Sequence, residues 1–199
     1  MKKILLIEDR PGRQAQFFNN DEITYLNSLN YLNMPSEDKC REWLNVLNSK
    51  EQNGFNTYNL VIVHKSSLKP IGLSNLRELC KKNQIDLILF SGGLSQVLYQ
   101  TMEFKSLSIN SSNLYTDRLK EFLENYSNGL IVSLLELVYG DQWKLEVLLR
   151  YRQLKTRYDA EPNNEVKFEL EDQISTLGQT IKDEIKNIDN SIDKIFISI

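Results

Sequence analysis

The sequence predicts a doubly wound α/β fold, a mostly parallel sheet with helices on both faces, followed by an all-helical C-terminal extension. Three observations predict it. Short runs rich in Ile, Leu and Val recur through the first two-thirds of the chain. Stretches with apolar residues at helical spacing separate those runs. Beyond about Gly129 the short runs stop and only helical patterns continue.

The runs are residues 3–7 (KILLI), 60–63 within YNLVIV, 86–90 (DLILF) and 104–109 (FKSLSI). Their apolar character is continuous, which marks strands covered on both faces. Pro11 suits the first position of a helix reaching about Phe18. Residues 22–32 read two ways, as the remaining strand around 23–26 or as an extra helix. Ser36-Glu37-Asp38 opens a helix running to Lys50, with Cys40, Trp43, Leu44 and Leu47 at helical spacing. Residues 73–80, 94–102 and 114–126 show the same spacing. The α/β unit therefore spans 1–128 and the extension 129–199. Within the extension, 130–139 reads as a buried helix. Gly140 breaks it, Asp141 caps a helix over 141–158, and a last helix covers 164–197 after Pro162.

Composition bounds the function. The chain has 199 residues and 23.3 kDa, 41% hydrophobic and 26% charged, which is a globular mix. A net charge of −3 and a pI near 5.4 disfavour a protein that binds nucleic acid through its whole surface. No apolar run approaches the roughly 20 residues that cross a bilayer, so no membrane partner is expected. The N-terminal run meets Glu8-Asp9-Arg10 too early for a secretory signal, so a cytoplasmic location is expected. Cys40, Cys80 and a single histidine are too few for the usual four-ligand zinc site. Reduced, packed thiols are the simpler reading.

The last helix carries a seam. Leu170, Ile174, Leu177, Ile181, Ile185, Ile188, Ile192, Ile195 and Ile199 step by four and three, with one stutter between Ile181 and Ile185. So narrow a stripe needs a partner. One reading is a coiled coil that binds a second copy or another protein. The other is an antiparallel hairpin with helix 141–158 of the same chain. Helix 141–158 carries Lys144, Arg150, Arg152, Lys155 and Arg157 against Asp141 and Glu146. From Asp159 onward, ten acids face four lysines. The two segments would match each other in charge. The basic helix, interleaved with Tyr151 and Tyr158, is also a candidate nucleic-acid contact.

Glu8 and Asp9 follow the first run, where open α/β folds place their ligands. Two adjacent carboxylates are a weak Mg²⁺ candidate. Ser91-Gly92-Gly93 lies at a similar edge and reads as a tight turn or a phosphate cradle.

These positions together resemble a response-regulator receiver domain. KILLIEDRPGR is similar to its first strand and acidic pair, and YNLVIVH to its third strand. DLILFS is similar to the fourth, ending in a small hydroxyl residue, here Ser91. The resemblance covers about residues 1–128 and implies a flavodoxin-like, five-stranded parallel sheet. It also implies a phosphoacceptor aspartate where His64 stands and a lysine where Asn110 or Ser111 stands. The stretch from Asp9 to His64 is long for the family, implying an insertion around 19–36. With acceptor and lysine both replaced, the expectation is a pseudo-receiver: a non-catalytic signalling module with a degenerate site of Glu8, Asp9, His64, Ser91 and Asn110, acting through its C-terminal helices. The alternatives are a nucleic-acid-binding regulator using helix 141–158, and a phosphate- or nucleotide-binding protein using the Glu8/Asp9/Ser91 edge.

Overall fold

The computed structural model describes residues 1–49, 55–93, 98–100 and 104–185. Its centre is a single sheet of strands β1 (Ile4–Ile7), β2 (Leu32–Asn33), β3 (Leu60–His64), β4 (Asp86–Ser91), β5 (Leu98–Gln100) and β6 (Ser106–Asn110), in the order β2-β1-β3-β4-β6-β5. β5 alone is antiparallel and lies on the outer edge of β6. The other five strands are parallel. Their order is that of the flavodoxin-like fold.

The strands bury both faces. Ile4, Leu6, Ile62, Ile88, Phe90, Leu107 and Ile109 point to one core, and Leu5, Ile7, Val61, Val63, Leu87 and Leu89 to the other. Side chains alternate along a strand, so a run covered on both sides must be apolar throughout. The second core is closed by α3 (Glu37–Asn48) and α4 (Pro70–Asn83). The first is closed by α2 (Asn20–Ser28) and α6 (Asp117–Ser127). Single turns of helix, α1 (Pro11–Gln14) and α5 (Ser111–Leu114), follow β1 and β6.

The ambiguous stretch resolves as a helix. Asn19 accepts from the Glu22 backbone N–H and Glu22 returns a bond to Asn19 N–H, a complete capping box. The remaining strand comes later, as β2. The predicted helix over 94–102 is corrected: residues 98–100 form β5, and the rest of that stretch lies outside the described residues. The reason is the open edge of β6, whose backbone groups pair better with a strand than a short helical pattern can predict.

The extension also departs from expectation. Residues 130–139 are not one helix. Gly129, at φ 78°, ends α6 in the left-handed region, and only α7 (Glu136–Tyr139) is helical. Asp141 caps nothing: it sits in a tight turn over 140–142, and α8 (Trp143–Ala160) starts after it. Trp143 and Val147 of α8 are buried in the first core beside Leu134, Leu135 and Leu137.

α9 (Asn164–Thr180) returns antiparallel to α8. Lys167 lies 5.2 Å from the Tyr158 ring, and Gly178 passes close to Tyr151. The stutter in the seam has a structural counterpart: Ile181–Ile185 form a π-helical turn. Leu170, Ile181 and Ile185 are buried, and Ile174 and Leu177 half-buried, within the same chain. Ile188, Ile192, Ile195 and Ile199 lie outside the described residues. Among the described residues, the cations of α8 form no ion pair with the acids of α9. Lys105 beside β6 does reach Glu184, at 3.6 Å.

Candidate functional site

β1, β3, β4 and β6 end at one edge of the sheet, and each delivers polar residues there. Glu8 and Asp9 follow β1, His64 is the last residue of β3, Ser91 the last of β4, and Asn110 the last of β6.

His64 is fully buried and stacks on Phe90, ring centres 5.5 Å apart. Its Nδ1 lies 2.7 Å from Asp9 Oδ1. Its Nε2 lies 2.5 Å from an Arg13 guanidinium nitrogen. A guanidinium only donates, so Nε2 must be the acceptor. That assigns the ring proton to Nδ1, which donates to Asp9. The imidazole is thus fixed between an anion and a cation, with both nitrogens used. Arg13 also reaches Ser111 Oγ at 3.5 Å.

The acids differ in environment. Burial raises the pKa of Glu8, although Tyr115 Oη donates to Oε2 at 2.9 Å and the Arg10 N–H to Oε1 at 3.0 Å. Burial and the facing Glu8 carboxylate push the Tyr115 hydroxyl well above its usual range. Burial opposes ionisation of Asp9 as well. There, hydrogen bonds from Ser67 and His64 outweigh it and hold the carboxyl below its usual value. Ser67 Oγ donates to Asp9 Oδ2 at 2.7 Å and lies 2.9 Å from His64 Nδ1. Ser67 and Asp9 address the same imidazole nitrogen, so these three residues cannot pass a proton in the manner of a hydrolytic triad.

Ser91 and Asn110 belong to a second network. Ser91 Oγ lies 2.6 Å from Ser66 Oγ and accepts from the Gly93 N–H. Asn110 Oδ1 caps α5 through the Ser112 N–H, and its Nδ2 donates to the Gly92 carbonyl. The structure therefore brings Glu8, Asp9 and His64 together and leaves Ser91 and Asn110 occupied elsewhere on the edge. No sequence signal marked Ser66, Ser67, Tyr115 or the contact of Arg13 with His64 as part of the site. The serines lie in the turn Lys65–Ser67 that follows β3, which was the available signal; nothing local marks Tyr115.

Donor atoms of Glu8, Asp9 and His64 lie within 4.8 Å of one another. They suit Mg²⁺ poorly. One donor is an imidazole nitrogen, which Mg²⁺ disfavours. That nitrogen carries a proton donated to Asp9, and both Glu8 oxygens accept protein hydrogen bonds. The Arg13 guanidinium already supplies positive charge, acting on Glu8 through space.

The basic residues of α8 form a different surface. Arg150, Arg152 and Arg157 are exposed, while Lys144 and Lys155 lie over the Trp143 and Tyr151 rings at 5.9 and 6.0 Å. Comparison with protein-family models, curated proteins and solved structures finds no match to the chain.

Proposed function

We propose that the protein is a non-catalytic regulatory module, a pseudo-receiver that acts through helical assembly with itself or a partner protein. The observation that carries this reading is His64, held between Asp9 and Arg13 at the end of β3. Phosphoryl transfer to a receiver needs a carboxylate nucleophile, a metal beside it and a cation for the developing charge. Here the nucleophile position holds an imidazole with no free lone pair, and a guanidinium already occupies its other side, acting on Glu8 through space. No other activated nucleophile stands out among the described residues. Burial raises the Cys40 thiol and pushes the Cys80 thiol up to about 12.

Incubation with acetyl phosphate and Mg²⁺, followed by intact-mass measurement, tests the inertness. The reading predicts an unchanged mass and no thermal shift with beryllofluoride and Mg²⁺. A covalent adduct, or a saturable shift abolished by Asp9→Asn, contradicts it. A cytoplasmic location fits the buried, unbridged Cys40 and Cys80. No helix among the described residues is long and apolar enough to cross a membrane.

One observation favours a second reading, nucleic-acid binding: the exposed Arg150, Arg152 and Arg157 form no ion pair among the described residues. A salt-dependent gel shift lost on reversing these three charges would support it. No shift at low salt removes it.

A further inference from the structure

The hairpin of α8 and α9 leaves one broad face to solvent. A helix turns about 100° per residue, so the buried positions fix which residues lie there. On α8, Trp143 and Val147 face the core and Tyr151 faces α9, which puts Leu145, Leu148, Arg152 and Lys155 on the solvent side. On α9, Leu170 and Leu177 turn inward and Gly178 faces α8, which puts Phe168, Glu171, Asp172 and Ser175 on the solvent side. Both sets therefore share one surface. Phe168 is 75% exposed there and Leu145 53%. Between the helices the same surface holds a cavity of about 320 Å³, lined by Tyr151, Ile174, Gly178, Gln179, Ile181 and Lys182 among others. Its central charges divide by helix: α8 supplies Arg152 and Lys155, α9 supplies Glu171 and Asp172. None of these four forms an ion pair with another described residue.

Two contacts set the levels along the hairpin. Tyr151 lies beside Gly178, and Tyr158 beside Lys167. Leu145 and Leu148 are thus level with Lys182 and Gln179 at the cavity, and Lys155 is level with Asp172. A face with a cationic half and an anionic half is complementary to itself. A two-fold axis running lengthwise between the helices keeps every level and exchanges the two halves. We infer that the solvent face of the hairpin binds the same face of a second copy, in a four-helix bundle whose neighbouring helices all run antiparallel. Arg152 and Lys155 then meet the partner's Glu171 and Asp172. Leu145 and Leu148 cover the partner's cavity, and Phe168 rests against the last turns of the partner's α8. Each contact is made twice. The α/β units stand on the outer sides of the bundle, since each core lies opposite the paired face. Glu171 and Asp172 on this face repel phosphates, which favours a second copy over a nucleic acid here.

This inference rests on the assembly part of the reading above and names the partner. Light scattering on the full chain tests it, with far-UV circular dichroism confirming that each variant folds. The wild-type chain is expected at twice the subunit mass in low salt, shifting toward monomer as salt screens the pairs. Arg152→Glu with Lys155→Glu, and separately Glu171→Lys with Asp172→Lys, should each weaken association roughly tenfold or more. An equimolar mixture of the two folded variants should recover the doubled mass, because an all-acidic face then meets an all-basic one. Arg150→Glu with Arg157→Glu changes the flank of α8 turned away from this face and should leave the mass unchanged. A dimer that persists in either reversal on the face, a mixture that stays monomeric, or an equal loss in the flank variant overturns this interface and leaves self-assembly standing. A wild-type chain that is monomeric at low salt overturns both the interface and self-assembly, while the inertness of the sheet edge is decided separately by the acetyl phosphate experiment.

Discussion

At the residue scale, a few groups decide the character of the sheet edge. His64 satisfies Asp9 and Arg13 at once, so removing either partner should be felt by the rest. Arg13→Met leaves a buried imidazole acceptor unpaired and should cost about 1–3 kcal/mol in chemical denaturation. The two acids should respond to pH in opposite senses. The folded pKa of Asp9 is lowered, so its contribution is present above the unfolded value of 3.8 and fades as pH falls through the folded value. Asp9→Asn should therefore cost most near neutral pH and progressively less in acid. The folded pKa of Glu8 is raised, so its contribution is present below 4.5 and is lost as pH rises through the folded value. The stability difference between wild type and Glu8→Gln should move in favour of the variant as pH rises through that range. Denaturation midpoints measured from pH 3 to 7 check both signs; parallel curves for the two variants would contradict the assignment.

At the element scale, helix–helix contacts are held by specific close approaches. An added Cβ on Gly72 of α4 would lie 2.1 Å from Asn48 Oδ1. That oxygen is fixed where it accepts the Lys69 N–H at the start of α4. Gly72→Ala should push the amide away, loosen the α3–α4 packing and lower stability by about 1–3 kcal/mol, read from the shift in denaturation midpoint. Legibility from sequence followed the same logic. β1, β3, β4 and β6 were readable because burial on both faces demands unbroken apolar runs. The seam of α9 was readable too, and its stutter marked the π-helical turn at Ile181–Ile185. β2 was not, since two residues carry no periodicity. β5 was not, since its pairing is set by the neighbouring edge of β6 and not by its own pattern. Residues 130–139 misled because apolar content alone does not distinguish a buried turn from a buried helix. At the site, positions at strand ends were legible from spacing, but Ser67 and Tyr115 reach it through tertiary packing that no local pattern records.

At the scale of the whole molecule, the extension is part of the sheet's covering. Trp143, Val147, Ile181 and Ile185 share a core with Ile88, Leu107 and Ile109. A chain ending near Asp159 would expose that face, so it should aggregate or melt without a cooperative transition, where the full chain unfolds in one step. A truncated chain with an undiminished midpoint would contradict this. The claim that the edge is chemically quiet depends on the state of one imidazole, and the chain has only one histidine. Nitrogen-15 NMR of selectively labelled histidine reads that state directly. A single Nδ1–H tautomer with Nε2 as a hydrogen-bond acceptor is expected, unchanged on adding beryllofluoride and Mg²⁺. An averaged or Nε2–H signal, or a saturable change with beryllofluoride, would contradict it.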